Sequence, residues 1–527
     1  MFLGKILLAI LLVASSSDLV ASGVLEAYDH SEKIKYSTVQ RYERQLNVTG
    51  PQKTVLVLVE FSDTKHTESA EDIDRTMCLV DEYWREVSYR KISVVWSIAG
   101  WYLLNHTLEY YGTDISEEGN DANATQLLRD SIMAADGNVT YRNFSHVVVV
   151  HAGMDQTISN RTADLWPHHF VGLNISTNDG MRVDHALYIS EFGGLGTYVH
   201  EFAHSLGLPD LYPRDKTKPS LVGDWSLMDH GNWLGDPKQS SPSGLEAWSL
   251  TKLGWGSTVE ANPTAEATVM TLYPLEKDIG TRVLKIPTSE SLYYLIELRM
   301  KIGVDNALPF SAVLISLINE TTWTSYHEGY GVVNITWVPT QYVYQDARRH
   351  VFIEVLSCSA TSCEIAIASR GIRLAYYNVP SRLWVLFPTE IASLRFTDES
   401  GTPISNLRVA VHIDDSIQYV ETDSMGEAHF SLSFIVPGEH RIHVKPSGIM
   451  LTEKAFTVRS DASWPIVLML VIFLFLLLKR IKRKRQLPSQ VVQMYMKTLK
   501  TSFSLAHRSY ILLRNILYPI AKEEHQY

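Results

Sequence analysis

The stretch His200-Glu201-Phe202-Ala203-His204-Ser205-Leu206-Gly207-Leu208-Pro209-Asp210 narrows what this chain can fold into more than any other. Helical residues four apart stand one turn above each other, so a helix here aims His200 and His204 the same way. Two neutral imidazoles at that spacing suit a zinc ion, at Zn–N distances of about 2.0–2.1 Å. Glu201, beside the first His, is placed to take a proton from an activated water rather than to bind the metal. Gly207 permits the left-handed backbone that ends a helix. The chain can then double back and offer Asp210 as a third ligand, leaving one face open as a catalytic site requires. A bare H-E-x-x-H also arises by chance on surface helices. Against that stand the Gly and Asp at the extended spacing and the helix start Gly193-Gly194-Leu195-Gly196-Thr197. The segment from Trp225 to Trp233, with Met228 in it, looks like the Met-turn that lies beneath such metals. One alternative stays open for the third ligand: Asp210 braces the turn after Pro209, and Asp224 or another downstream carboxylate binds.

At 527 residues the chain is too long for one ordinary core, and two or three folded units are expected. With 45% hydrophobic and 20% charged residues it is globular rather than disordered. The formal charge of −11 is unevenly spread. Residues 479–527 hold 11 Lys/Arg against 2 Asp/Glu, a net of +9, which leaves −20 before them. That split predicts two sides of a membrane. Residues 1–22, with Lys5, an apolar run over 6–14 and the small pair Ala21-Ser22, have the grammar of a signal peptide. Trp464-Pro465 opens an uncharged run to residue 478, followed at once by Lys479-Arg480-Ile481-Lys482-Arg483-Lys484-Arg485. The run is short against the ~20 residues that cross a bilayer, but Ala462, Ser463 and snorkelling basic side chains extend it. A single-pass protein at the cell surface follows, with a transmembrane helix over 462–478 and a basic cytoplasmic tail over 479–527. Nine N-x-S/T sequons, all before the span, agree with export. An acidic ectodomain argues against nucleic acid as a partner.

In chain order, residues 23–50 read as a polar arm or short pro-segment. Residues 54–61, 146–151 and 185–190 read as strands from their apolar runs, and the alternating stretch 91–102 as a strand or hairpin. Residues 67–88 and 121–135 carry apolar side chains at helical spacing. Together they make an α/β unit over 51–260 in which strands support the metal helix. From 269 the pattern changes to short alternating segments, including 282–286, 292–298, 312–318, 331–337 and 350–355, which predict a β-sandwich over 261–385. A further all-β unit over 386–460 resembles an immunoglobulin-like module. Cys358 and Cys363 are expected to close a small hairpin loop as a disulfide, and Cys78 is expected to be buried within its helix.

The stretch from about 54 to 255 resembles the immune inhibitor A-type secreted metalloproteases, which belong to the metzincin-like zincins. The matching features are Val57-Leu58-Val59-Glu60-Phe61-Ser62-Asp63, Tyr83-Trp84-Arg85-Glu86-Val87-Ser88-Tyr89, Val150-His151-Ala152-Gly153, the block from His200 to Tyr212, Gly223-Asp224-Trp225-Ser226-Leu227-Met228, and Leu253-Gly254-Trp255. The segment Tyr293-Tyr294-Leu295-Ile296-Glu297-Leu298-Arg299, with Gly303-Val304-Asp305 after it, looks like the β-rich region that follows the catalytic unit in the same family. The resemblance implies a zinc-dependent endopeptidase acting on polypeptides, with His200 and His204 as ligands, Glu201 as base and Met228 under the metal. Ala203 stands where Gly is usual, and His230 follows the Met-turn where Gly or Ser is more typical. His230 is then either a substrate or oxyanion contact or a structural residue.

The expected architecture is thus multidomain: an α/β zincin catalytic domain, β-sandwich units including the immunoglobulin-like one, and a single transmembrane helix. The expected function is peptide-bond hydrolysis through water at one catalytic Zn2+, with structural Ca2+ left open. A second reading, of a different class, is an inactive surface adhesion or envelope protein on a protease scaffold. Such a scaffold would normally lose Glu201 or a His, and all three remain.

Overall fold

The computed structural model describes residues 48–461, apart from 116–120, 214–218, 321–331, 339–341, 386–388, 435–436 and 452–453, together with Leu476. The expected signal peptide, all but the last three residues of the arm, the span (Leu476 apart) and the basic tail lie outside them. Among the described residues no helix is long and apolar enough to cross a membrane.

Strand β1 (Gly50–Glu60) is the spine of the first unit. Leu56 and Leu58 face one core while Val55, Val57 and Val59 face another. A strand buried on both sides reads as an unbroken apolar run, since side chains alternate across the sheet. It pairs in parallel with β2 (Ile92–Leu103) and β3 (His146–His151). The sheet is completed by β5 (Arg182–Ser190), parallel to β3, and β4 (His168–Ser176), antiparallel at the edge. Its order is β2-β1-β3-β5-β4. Parallel neighbours need crossovers, and α1 (Ala70–Val87) and α2 (Ala124–Ala135) lie on them. Ser69 and Asp72 form a capping box at the start of α1. Below it Ile73, Met77, Val80 and Trp84 make one buried stripe. Cys78 corrects an expectation. It lies in this helix but is exposed, because Met77 and Val80 take the inward face and residue 78 is turned away from it.

The β-rich half begins with a five-stranded sheet of β6 (Thr258–Glu260), β8 (Val283–Pro287), β9 (Leu292–Arg299), β10 (Ala312–Asn319) and β11 (Val332–Val338), in the order β11-β10-β9-β8-β6. It faces a second sheet, in which β7 (Thr268–Leu272) pairs with β14 (Cys363–Ala368), β14 with β13 (Val351–Cys358), and β13 with β12 (Val343–Asp346). The expected disulfide joins Cys358 to Cys363 across the β13–β14 hairpin. The central strands β9 and β10 of the first of these sheets are buried on both faces. Tyr294, Ile296, Val313 and Ile315 fill the sandwich core, while Tyr293, Leu295, Leu314 and Ile318 continue the core of the α/β unit. The strands from β15 (Gly371–Asn378) to β23 (Ala455–Asp461) make two further facing sheets around Leu394, Phe396, Val409, Val411 and Phe430. Because β15 and β16 (Arg382–Trp384) pair within this last unit, the expected boundary at 385/386 falls inside it.

Two buried histidines should make the α/β unit acid-sensitive. His151 is fully buried and His146 nearly so, wedged between Ser205 Oγ at 2.8 Å and Gln52 Oε1 at 3.1 Å. Burial, the main cause for both, pushes each pKa down to about 4. A depressed folded-state pKa means the unfolded chain takes up protons first. The neutral rings therefore contribute stability that is intact above pH ~6.5 and lost as pH falls through about 4. The expected loss is on the order of 3 kcal/mol for each. Replacing His151 by Gln should flatten the fall in melting temperature between pH 6.5 and 4; an unchanged slope would count against this assignment.

Candidate metal centre

Helix α3 (Leu195–Ser205) runs from the end of β5 across the sheet. Its start has no side-chain cap of its own. Gln239 serves instead: its carbonyl accepts from Gly196 N at 2.8 Å and its Oε1 from Thr197 Oγ1 at 2.7 Å. Gly196 is required by a close approach, since a Cβ there would stand 1.9 Å from Asn232 O. At the other end Gly207 has φ +99°. Leu208 N bonds to Ala203 O and Gly207 N to His204 O, the paired bonds of a Schellman turn.

That turn positions the metal-type side chains. The Leu208 carbonyl is carried back to accept from His204 Nδ1 at 2.8 Å, and Leu227 O accepts from His200 Nδ1 at 2.9 Å. A carbonyl can only accept, so each Nδ1 carries a proton, which leaves Nε2 as the atom that can bind a metal. Asp210 Oδ1 lies 3.2 Å from Nε2 of both histidines, yet makes no well-aligned hydrogen bond. Ligands of a tetrahedral zinc with bonds of about 2.0–2.2 Å stand roughly 3.3–3.6 Å apart. Near-contact without hydrogen-bond aim therefore fits a metal. Glu201 is buried beside them, with one ligand-type atom from each of His200, Glu201 and His204 lying within 4.8 Å of the others. Its Oε2 has no hydrogen-bond partner.

The electrostatics agree with this grouping. Burial lowers the pKa of His204, but the Asp210 carboxylate outweighs it and raises it to about 9. Burial works to raise Asp210 in turn, and the two imidazoles hold it far below the ordinary carboxylate range. Buried Met228 sits behind the site, and its carbonyl accepts from Leu211 N at 2.7 Å, next to Asp210. Asp224, the alternative ligand, is in the 3-10 turn Gly223–Trp225 and outside this grouping. His230 is not brought in either: its side chain is 58% exposed and its Nε2 is 3.9 Å from Asp229 Oδ1.

Several contributors leave little trace in the sequence. The carbonyls of Leu208 and Leu227 are backbone atoms, which no residue type announces. His169, on β4, lies with its ring 6.3 Å from that of His204 and its Nε2 3.4 Å from His185 Nδ1. Burial first, and then His204, push its pKa down to about 2, so it stays neutral. Tyr212 lays its ring 6.3 Å from that of His200. Asp229, almost fully buried, accepts from Val222 N and Gly223 N and fixes the approach to the Met-turn. Glu191 does the same at the foot of α3, accepting from Thr67 N, Glu68 N and Gly153 N.

Comparison with known proteins agrees with these residues. Residues 142–254 match the profile described as immune inhibitor A peptidase M6, catalytic domain. The pre-pro-metalloprotease PrtV of Vibrio cholerae serotype O1 is 24% identical over 210 residues, covering 32% of this chain and 22% of that protein. Immune inhibitor A of Bacillus thuringiensis subsp. alesti is 24% identical over 286 residues, covering 40% of this chain and 41% of that protein. The chain therefore spans well under half the length of these relatives. Among solved structures, the CARDB domain of PF1109 from Pyrococcus furiosus is similar at 16% identity, with 17% of this chain and 93% of that one covered. Its TM-score of 0.14 carries no argument.

Proposed function

We propose, from the premise that residues 142–254 carry an immune inhibitor A-type metalloprotease domain, that the chain is a zinc-dependent endopeptidase of zincin type. His200, His204 and Asp210 hold the metal and Glu201 is the general base. The observation that carries this reading is Asp210 Oδ1, poised 3.2 Å from both imidazole Nε2 atoms. A zinc ion bound there would bring the pKa of its water to about 7 and polarise the scissile carbonyl. Glu201 takes the proton and hands it to the departing amine nitrogen. Its unpartnered Oε2 leaves it free to do so. His200 and His204 keep their tautomers through the carbonyls behind them, and the buried surroundings strengthen every charge contact.

The reading also includes export through residues 1–22, anchoring through 462–478 and an immunoglobulin-like spacer between enzyme and membrane. Zinc stoichiometry combined with hydrolysis of denatured casein tests it. One zinc per chain and cleavage that stops on chelation are expected. Metal without cleavage would favour a binding scaffold over an enzyme, and no metal at all would remove the reading altogether.

A further inference from the structure

A buried ionic cluster joins the metal helix to the β-rich half. Glu297 and Arg299 are two apart on β9 and so face the same side, towards the α/β unit. Arg299 is fully buried. Its Nε and Nη2 lie 2.8 and 2.6 Å from Asp305 Oδ2, and Nη1 donates to Trp225 O. Asp305 Oδ1 accepts from Gly244 N at 2.7 Å, Gly244 O accepts from Leu227 N at 3.1 Å, and Leu227 O accepts from His200 Nδ1 at 2.9 Å. An unbroken run of hydrogen bonds thus leads from the guanidinium to the first imidazole. Glu297 Oε2 accepts from Ala247 N at 2.6 Å, and the neighbouring Glu246 takes Ser226 Oγ at 2.5 Å. Residues 225–227 are therefore gripped from both sides.

Burying such ions is poor evidence for stability, because desolvation offsets the attraction. What a fully paired network supplies is fixed geometry. Here the geometry ends on a carbonyl that sets the tautomer of His200. Partners behind metal-binding histidines tune affinity strongly, by about 10–100-fold.

We propose that Arg299 and Asp305 are positioning residues for the metal: they hold the Leu227 carbonyl where it keeps the proton on His200 Nδ1 and turns Nε2 towards Asp210. The inference rests on the metal reading of His200, His204 and Asp210. It makes the sheet that follows the α/β unit part of the apparatus that sets zinc affinity.

The test measures zinc affinity of the full chain by chelator competition, the visible spectrum of the cobalt-substituted protein, and kcat and KM at saturating zinc. Arg299→Lys keeps the charge but loses the fork that reaches Asp305 and Trp225 together. Expected are an affinity about 10–100-fold lower, altered cobalt bands, and a lower kcat with KM unchanged. Lys252→Ala removes the Lys252–Glu320 pair (2.8 Å) across the same junction but off the run, and should leave all three readouts unchanged. Should Arg299→Lys not fold, Asp305→Asn takes its place. Glu276, Glu297 and Asp305 all face the one guanidinium. Native affinity in the folded variants overturns the inference and leaves the metal reading standing. Equal losses in Lys252→Ala and Arg299→Lys overturn it too, since docking rather than positioning would be responsible. Absence of zinc from the wild-type chain overturns the metal reading instead.

Discussion

Glu201→Gln is expected to keep one zinc per chain and to lose hydrolysis of denatured casein by about 10²–10⁴-fold. The substitution preserves shape and leaves His200, His204 and Asp210 untouched. It removes only the ability to accept a proton. At Oε2 the substitution breaks no hydrogen bond, since that atom has no partner. Metal content and kcat, measured on the same preparation, separate the two effects. A variant that cleaves as fast as the wild type would sink the general-base role, and one that loses its zinc would instead make Glu201 part of the binding set.

Trp84→Ala should have the largest effect on stability. Trp84 is fully buried where α1 meets α3, with Phe202 and Trp255 each 5.9 Å away between ring centroids. Truncating a buried aromatic to Ala costs about 3–5 kcal/mol through lost transfer energy and the cavity left behind. Its Nε1 has no hydrogen-bond partner, so the loss is one of packing. For a unit of this size the melting temperature should fall by roughly 6–20 °C. A fall of under two degrees would mean that the helices repack freely over the gap, contrary to the close packing of this core.

The metal grouping was legible because it is local. Helical spacing aligns His200 with His204, and one left-handed glycine returns Asp210 within the same eleven residues. β1 was legible because burial on both faces demands an unbroken apolar run. β4 was not: as a half-exposed edge strand interrupted by Gly172 and Asn174, it matches neither strand pattern cleanly. The double burial of β9 and β10 was hidden too. Their apolar runs report that both faces are covered, not which neighbours cover them. Arg299 carried no local signal either, because its meaning lies in a carbonyl 74 residues earlier. Cys78 failed on helical phase, one position round from the buried stripe.

The middle sheet also bears on how the molecule can be cut. A recombinant fragment stopped near residue 260 would strip away Tyr293, Leu295, Leu314 and Ile318 and leave a greasy floor open to solvent. Such a fragment should sediment with inclusion bodies, however well its metal helix is formed. The first natural seam comes around 369–370, where Phe352, Ala366 and Ala368 meet Ile449 in only a small cluster. A soluble fragment that keeps the metal site should therefore extend about a hundred residues beyond the Leu253-Gly254-Trp255 motif.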